Sequence, residues 1–322
     1  MSARARTRGH PHPIPPKSCA SGGMGSRSDL QLEGCPAALL KDDGKEYMMG
    51  IDEAGRGPTL GPMVYGSAFC AVEDEAKVKA MGYMDSKQLT EAKRDQLWAE
   101  LQTCGFLGWS IRVLDAKEIS GGMLRKAAPY NLNAQSHDAA ISLVQKVLDR
   151  GVNLRYLYVD TVGDPERYQA KLEGLFPTLN VLVAKKADSL YPIVSAASIC
   201  AKVPRDTLLS SWRFEDPRMG ADYAWGCGYP SDKDTQRWMR ENLEPVFGWP
   251  NVVRFSWGPA TEVLEKNPQN HGVRGVRWAD EATNPEQQQQ RSQMEQYFGM
   301  KKQKVERHSF FTTSMLEPVE GW

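Results

Sequence analysis

Five short apolar segments, separated in part by helical patterns, constrain the fold of this 322-residue chain most. Each has the length and the apolar or aromatic content of a β-strand, and they span residues 47–52, 63–72, 106–114, 155–160 and 180–185. The first three follow one another through short links, and the last two are reached through helices. This order predicts an α/β fold in which a mixed sheet begins antiparallel and is flanked by helices.

Helix signals fill the intervals between these strands. Thr90 precedes an amphipathic segment as a helix cap, and residues 133–149 carry apolar residues at helical spacing before Gly151. A further helical stretch follows Pro192. Its small residues 195–198 (SAAS) predict close packing against the sheet rather than a nucleophilic serine, because no histidine lies near enough in the motifs to activate one.

The composition excludes several classes of protein. Lys plus Arg and Asp plus Glu each total 40, so nucleic-acid binding would have to come from local clusters of charge. The six cysteines are widely spaced and most of the five histidines lie in the tails, which argues against a zinc site and a disulfide framework. No apolar run reaches membrane-spanning length and no secretory signal is evident, so we expect a soluble intracellular protein that does not bind membranes.

Both ends of the chain differ from its middle. Residues 1–45 are rich in Gly, Pro, Ser and Arg, which predicts a disordered tail and leaves open an organelle transit peptide or a weak nuclear signal. Residues 46–212 form the predicted core domain, and residues 213–265 a smaller helical region. Residues 266–322 are polar, and Phe310 and Phe311 within them predict a partner-docking segment, the alternative being a disordered tail with two chance aromatics.

Four acidic residues stand at corresponding places in the strand pattern. Asp52 and Glu53 end the first predicted strand, Asp160 ends the fourth, and Asp188 follows the fifth. If the fourth strand lies beside the first, Asp160 comes near Asp52, and carboxylates that close repel one another unless a cation neutralises them. The alternative is that each acid only caps a helix or ends a strand.

Oxygen ligands without cysteine or histidine suit Mg²⁺ or Mn²⁺. A pair of such ions is the arrangement that phosphoryl transfer uses: one ion activates a water and the other stabilises the leaving oxygen. The four acids therefore predict a site for two divalent cations.

Five blocks in order carry a family resemblance: GIDEAGRGPTLGPMVYG, DSKQL, YVDTVG, KKADSLYPIVSAASICAKVPRD and GYPSD. Between about residues 49 and 257 they resemble type 2 ribonuclease H (the RNase HII family), in particular the catalytic A subunit of the eukaryotic heterotrimer. The resemblance implies an RNase H-like mixed sheet flanked by helices, with a smaller helical C-terminal region. It also implies that Asp52, Glu53, Asp160 and Asp188 are the catalytic, metal-binding acids.

The resemblance further implies an activity and a setting. Such an enzyme cleaves the RNA strand of RNA-DNA hybrids and cuts 5′ of single ribonucleotides in duplex DNA, leaving 5′-phosphate and 3′-hydroxyl ends. We accordingly expect Mg²⁺ or Mn²⁺ as cofactor, B and C subunits as partners without which the chain is inactive, a nuclear location, and roles in removing ribonucleotides and RNA primers during DNA replication.

Two motifs are candidates for recognising the substrate. By resemblance, Gly55, Arg56 and Gly57 place backbone groups against a ribose 2′-hydroxyl, where a Cβ would obstruct the approach. Tyr229 resembles the tyrosine that packs on the sugar at the RNA-DNA junction. The alternatives are a turn whose glycines serve only positive φ, and a turn-anchoring tyrosine.

Three cations are candidate phosphate contacts, namely Lys87, Lys202 and Arg205. Their alternatives are solvated surface charges, or structural salt bridges with Asp85 and Asp206.

Two other functions compete with a nuclease. One is a non-catalytic nucleic-acid-binding scaffold, which loss of one of the four acids would have favoured. The other is a nucleotide-binding oxidoreductase that uses GRGPTLG as a dinucleotide loop. The latter is disfavoured because the spacing is not Gly-x-Gly-x-x-Gly, Pro58 lacks an amide donor, and Asp52 and Glu53 would repel a pyrophosphate.

Overall fold

The computed structural model describes residues 31–36, 39, 44–125, 128–161, 163–214, 225–244 and 247–266. They all belong to one compact unit of the chain, residues 1–274, so the predicted helical region 213–265 shares that unit with the sheet. The predictions for residues 1–30 and for 267–322, including Phe310 and Phe311, lie outside the described residues.

A six-stranded mixed sheet organises the structure, with strand order β1-β4-β3-β2-β5-β6. Strands β1, β4, β3 and β2 pair antiparallel, whereas β2 pairs parallel with β5, and β5 with β6. The α/β class, the antiparallel start and the placement of the fourth predicted strand beside the first are thereby confirmed. The strands are β1 (Gln31–Gly34), β2 (Tyr47–Ala54), β3 (Met63–Ala71), β4 (Gly108–Leu114), β5 (Leu154–Asp160) and β6 (Asn180–Ala184).

Strand β1 corrects the prediction that residues 1–45 are wholly disordered. Residues Gln31–Gly34 pair with β4, and Leu39 is buried in the core. Glu33 also forms ion pairs with Lys146, at 2.6 Å, and with Arg150. Lys146 lies in the helix Leu132–Asp149, and Arg150 directly follows that helix. The segment is ordered by contacts with residues far away in the chain, so its local composition gave no sign of a strand.

Nine α-helices lie in the described part of the chain, with a 3₁₀ turn at Val72–Asp74 and a π-helical turn at Glu262–Lys266. The Thr90 side chain accepts from the Lys93 amide and begins α2 as predicted, while Asn131 caps α4 in the same way. The helices are α1 (Glu75–Ala80), α2 (Glu91–Thr103), α3 (Ala116–Met123), α4 (Leu132–Asp149), α5 (Pro165–Leu175), α6 (Ala187–Leu190), α7 (Pro192–Ser210), α8 (Lys233–Glu241) and α9 (Gly258–Thr261).

The sheet has a helical layer on each face. Helices α4 and α5 cover one face, where Met49, Ile51 and Tyr65 enter the core, and α7 with α2 covers the other. A third apolar cluster of Trp225, Trp238 and Trp249 joins the C-terminal region to Leu60.

Helix α7 lies unusually close to the central strands. A Cβ built on Gly50 or Gly66 would fall 2.5 Å from the α7 backbone, so only glycine fits at these two positions. The residues Ser195, Ala196, Ala197 and Ser198 are buried on this helix, which confirms the predicted packing of the small-residue face.

All five described cysteines are free. In the described part of the chain, no helix combines the length and the apolar character needed to span a bilayer.

Gly66→Ala tests the close approach of α7. We expect the free energy of unfolding to fall by at least ~1–3 kcal/mol in urea titrations, because the added methyl meets the backbone of α7. The control is Gly174→Ala in α5, where a Cβ meets nothing within 4 Å and the change should be neutral or stabilising. Equal stability of the two variants would contradict the packing argument.

Candidate active site

The parallel pairing of β2 with β5 places the predicted acids together. Ile51 pairs with Val159, so Asp52 and Asp160 follow at the same end of adjacent strands. Asp188 lies in the short helix α6 directly after β6, and the preceding amide, that of Ala187, donates to Asp160 Oδ1 at 3.0 Å. Asp52 and Asp188 are buried and Asp160 is partly buried. Carboxylates distant in the sequence therefore come together at the C-terminal ends of neighbouring strands.

Burial and mutual repulsion perturb these carboxyl groups. Burial, followed by the charges of Glu53 and Asp160, raises the pKa of Asp52 well above its ordinary value, although the Glu53 amide donates to Asp52 Oδ1 at 2.7 Å. Burial and Asp160 raise the pKa of Glu53 to about 7, against the opposing charges of Arg56 and Lys87. The site holds more negative charge than its own cations neutralise.

Asp188 belongs to the same electrostatic group. Burial is the largest cause that raises its pKa, and the charges of Asp85 and Asp160 add to it while Lys87 opposes them.

Cation binding fits this chemistry. Glu53 Oε2 is buried without a hydrogen-bond partner, and a hard divalent cation would both partner it and relieve the repulsion. As the side chains stand, no three acidic, histidine or cysteine groups of the described residues are already arranged to hold a metal ion. The carboxylates, which repel one another, would have to draw closer around a cation.

Lys87 is an exposed residue of the loop before α2 that faces the acids. Burial lowers the pKa of its ammonium, but the charges of Asp52, Asp85, Asp188 and Asp160 outweigh that effect and raise it. The structure thus brings Lys87 to the acids, and its contact with phosphate remains a prediction.

The glycine turn lies directly after β2 and meets Tyr229. Gly55 has φ +80°, and a Cβ there would lie 2.5 Å from the Pro62 carbonyl oxygen. A Cβ on Gly57 would lie 3.1 Å from the Tyr229 ring, which is 47% exposed. The amides of Thr59 and Leu60 donate to the Gly228 carbonyl. The predicted ribose-reading turn and the predicted sugar-packing ring therefore form one surface.

The Arg56 side chain binds the start of α4. Its guanidinium donates to Ser136 Oγ at 2.7 Å and to Asn133 Oδ1. The arginine side chain of the predicted Gly-Arg-Gly element therefore binds other residues of the protein, and the predicted contact with ribose concerns its backbone.

Arg254 is a residue of the site that the sequence reasoning missed. It is fully buried and donates to the carbonyl oxygens of Gly61 and Arg56, each at 2.9 Å, and to that of Gly55. Its guanidinium lies 4.7 Å from the ring centre of Trp257, whose indole donates to the Gly57 carbonyl at 3.0 Å. A charged residue inside the apolar stretch NVVRFSW was the available signal, since buried charges need partners.

The phosphate-contact prediction is wrong for Arg205. Its side chain is buried, forms an ion pair with Asp206 at 3.0 Å and donates to the Leu60 carbonyl at 3.4 Å. Lys202 forms an ion pair with the same carboxylate at 2.9 Å. The alternative of a salt bridge with Asp206 is thus observed for both residues, whereas contact of the partly exposed Lys202 with phosphate remains a prediction.

The dinucleotide-loop alternative is also wrong. The glycine turn connects β2 to the antiparallel strand β3, whereas a dinucleotide loop opens a helix whose N-terminus receives the pyrophosphate.

Sequence comparison with known proteins identifies a matching family. The family model for Ribonuclease HII matches residues 49–260. The A subunit of human ribonuclease H2 is 44% identical over 285 residues, 88% of this chain and 92% of the human protein. The Arabidopsis thaliana protein of the same name is 47% identical over 218 residues, 68% of this chain and 73% of the plant protein.

Solved structures agree. The ribonuclease H2 of Pyrococcus horikoshii is 31% identical with a TM-score of 0.56, covering 67% of this chain and 96% of its own. The RNase HII of Archaeoglobus fulgidus, in its complex with PCNA, is 27% identical with a TM-score of 0.55. The match covers 69% of this chain and 99% of the archaeal one.

Arg254→Met tests whether the buried guanidinium holds the glycine turn. We expect unfolding free energy to fall by about 3 kcal/mol, because three carbonyl oxygens lose their donor. Arg167→Met is the control, since the Arg167 side chain is 90% exposed, and it should change stability by less than about 0.5 kcal/mol. A similar effect of both substitutions in urea titrations would refute the role of Arg254.

The raised pKa values of the acids predict how stability depends on pH. The folded protein holds a proton on Glu53 up to about pH 7, whereas an ordinary glutamate releases it near 4.5. Between those values the folded state binds more protons, so its stability should fall as pH rises from about 5 to about 8 in EDTA. Urea titrations should show a smaller fall for Glu53→Gln. An unchanged or rising stability in the unsubstituted chain would contradict the assignment.

Proposed function

Because the chain belongs to the ribonuclease HII family and is a type 2 ribonuclease H, we propose that it cleaves RNA in RNA-DNA hybrids and also cuts 5′ of single ribonucleotides in duplex DNA. One observation carries the proposal: buried acids at the ends of β2 and β5 adjoin a glycine turn that touches Tyr229. A phosphate could reach the acids while the neighbouring ribose meets the turn.

The acids Asp52, Glu53, Asp160 and Asp188 would hold two ions of Mg²⁺ or Mn²⁺. The unpartnered Glu53 Oε2 and the raised pKa values of Asp52, Glu53 and Asp188 support this assignment. When bound, such ions supply an activated water and stabilise charge on the leaving oxygen. Attack by water on phosphorus with departure of the 3′-oxygen leaves 5′-phosphate and 3′-hydroxyl ends.

The remaining groups position the nucleic acid. Lys87 would place its positive charge beside the scissile phosphate, since it already faces the acids. Backbone groups of Gly55, Arg56 and Gly57 would hydrogen-bond the 2′-hydroxyl, the group that distinguishes RNA from DNA. The half-exposed Tyr229 ring would pack on the adjacent sugar.

Arg254 and Trp257 have a supporting role in this scheme. They bind four carbonyl oxygens of the region from Gly55 to Gly61, and so would keep the turn rigid while it contacts the ribose.

We also propose an assembly and a cellular role. The human and plant relatives are named as A subunits, which supports a multi-subunit enzyme in which B and C subunits join this chain, with residues 266–322 as the docking segment. A nuclear location and roles in removing misincorporated ribonucleotides and RNA primers would follow from that substrate. Exclusion of a fluorescently tagged chain from the nucleus would contradict this part.

Asp52→Asn tests the proposed chemistry. With Mg²⁺, a duplex containing one ribonucleotide should be cut at least ~100-fold more slowly than by the unsubstituted enzyme, a loss of about 3 kcal/mol of transition-state stabilisation. Binding of the duplex should persist, because the backbone contacts are unchanged.

The assay is run with the chain alone and with B and C subunits, on the ribonucleotide duplex, an RNA-DNA hybrid and an all-DNA duplex. Asp149→Asn, an exposed residue at the end of α4, is the matched control and should retain full activity. Full activity of Asp52→Asn would remove the mechanism. Cutting of hybrids but not of the single ribonucleotide would remove the finer substrate assignment.

A further inference from the structure

Glu53 has unpaired polar neighbours on the face of the sheet covered by α4 and α5. The hydroxyls of Tyr65 and Tyr168 are buried without hydrogen-bond partners, as is Glu53 Oε2. Each tyrosine is only 1% exposed. A buried hydroxyl or carboxylate oxygen left unpaired costs roughly 1–3 kcal/mol, so two donors and one acceptor unpaired on one face of the fold call for an explanation.

Strand pairing places Tyr65 beside Glu53. The two residues are directly opposite each other in the β2–β3 ladder, so their side chains project from the same face of the sheet with Cβ atoms about 5 Å apart. Ser136 lies near the Tyr65 hydroxyl, and its oxygen accepts from the Arg56 guanidinium at 2.7 Å.

Tyr168 approaches from α5. Its ring stacks on His137 of α4 with 3.8 Å between ring centres, which fixes the direction of the phenol. After burial, the charge of Glu53 is the next cause that raises the pKa of both tyrosine hydroxyls. Glu53 is thus an acidic group that both phenols sense.

Two other polar side chains, Asp138 and Gln135, belong to α4, which covers this face. Asp138 accepts from the Tyr130 hydroxyl at 2.5 Å and pairs with Lys171 at 3.6 Å. The Gln135 side chain is directed to the carbonyls of Ile119 and Tyr130 through its amide nitrogen. Gln135 Oε1, like Glu53 Oε2, is buried without a donor, but Glu53 is the acceptor that lies directly opposite Tyr65.

We propose that Tyr65 and Tyr168 are positioning residues that, once a divalent cation binds, would donate hydrogen bonds to the Glu53 carboxylate and fix its orientation. This inference rests on the proposed function, in which Glu53 is a cation ligand. Hydrogen-bond donors behind a ligand restrict its rotation, and their removal typically lowers metal affinity 10–100-fold. Neither phenol is among the groups assigned above to the nucleic acid or to the metal ions.

The experiment uses Tyr65→Phe, Tyr168→Phe and the double variant. Tyr83→Phe is the matched control, because Tyr83 is also buried with an unpartnered hydroxyl but lies in the apolar layer of α2 and α7. Each substitution removes one hydroxyl and leaves the ring. We measure Mn²⁺ binding without nucleic acid by titration calorimetry, the Mn²⁺ concentration for half-maximal cleavage, and the melting temperature.

The double variant should bind Mn²⁺ at least about 10-fold more weakly and need correspondingly more Mn²⁺ for half-maximal cleavage. Cleavage at saturating Mn²⁺ should stay within about twofold of the unsubstituted enzyme, and the melting temperature should match that of Tyr83→Phe. Mn²⁺ binding by the double variant equal to that of Tyr83→Phe would overturn the inference.

A further variant, Glu53→Gln, distinguishes failure of the inference about the two tyrosines from failure of the proposed function. If Glu53→Gln loses Mn²⁺ binding while the double tyrosine variant keeps it, only the positioning role is wrong. If Glu53→Gln binds Mn²⁺ and cleaves like the unsubstituted enzyme, the ligand role of Glu53 is wrong and the inference falls with it.

Discussion

The parallel pairing of β2 with β5 is the constraint on which the site depends. It sets Asp52 level with Asp160 at the ends of neighbouring strands, and the Ala187 amide then ties α6, and with it Asp188, to the same place. Close packing of α7 on Gly50 and Gly66 holds this part of the sheet from one side. The backbone that carries the acids therefore belongs to the closely packed centre of the sheet, and a site that positions ligands needs such a support.

Negative charge is concentrated at this site. Asp52, Glu53 and Asp188 all have raised pKa values because they are buried near other acids. The surrounding residues do not fully offset this repulsion between carboxylates. Such a site lowers the free energy of unfolding of the isolated protein, and binding of cations to the folded state raises it again. Functional sites are where this kind of local conflict is common, since the ligand supplies what the protein lacks.

The C-terminal region completes the site from outside the sheet. Arg254 and Trp257 bind the carbonyls of the glycine turn, and the loop with Tyr229 receives the amides of Thr59 and Leu60. The proposed ribose-contacting turn and the proposed metal-binding acids are thus supported by different parts of the chain, which meet at the segment after β2. Their relative position is set by these hydrogen bonds, of which the one from Arg254 to the Gly61 carbonyl is buried and therefore costly to break.

The sequence by itself determined the sheet strands from Tyr47 onward and their mixed pairing, and it singled out the four acids as candidates, because apolar periodicity and short ordered motifs are local properties. Tertiary structure alone decided the pairing of β1 with β4, the burial of Arg205 in an ion pair with Asp206, the roles of Arg254 and Trp257 behind the turn, and the placement of Tyr65 opposite Glu53. Each of these depends on contacts between residues distant in the chain. Whether a charged or polar side chain faces solvent, substrate or a buried partner is fixed only when those distant segments meet.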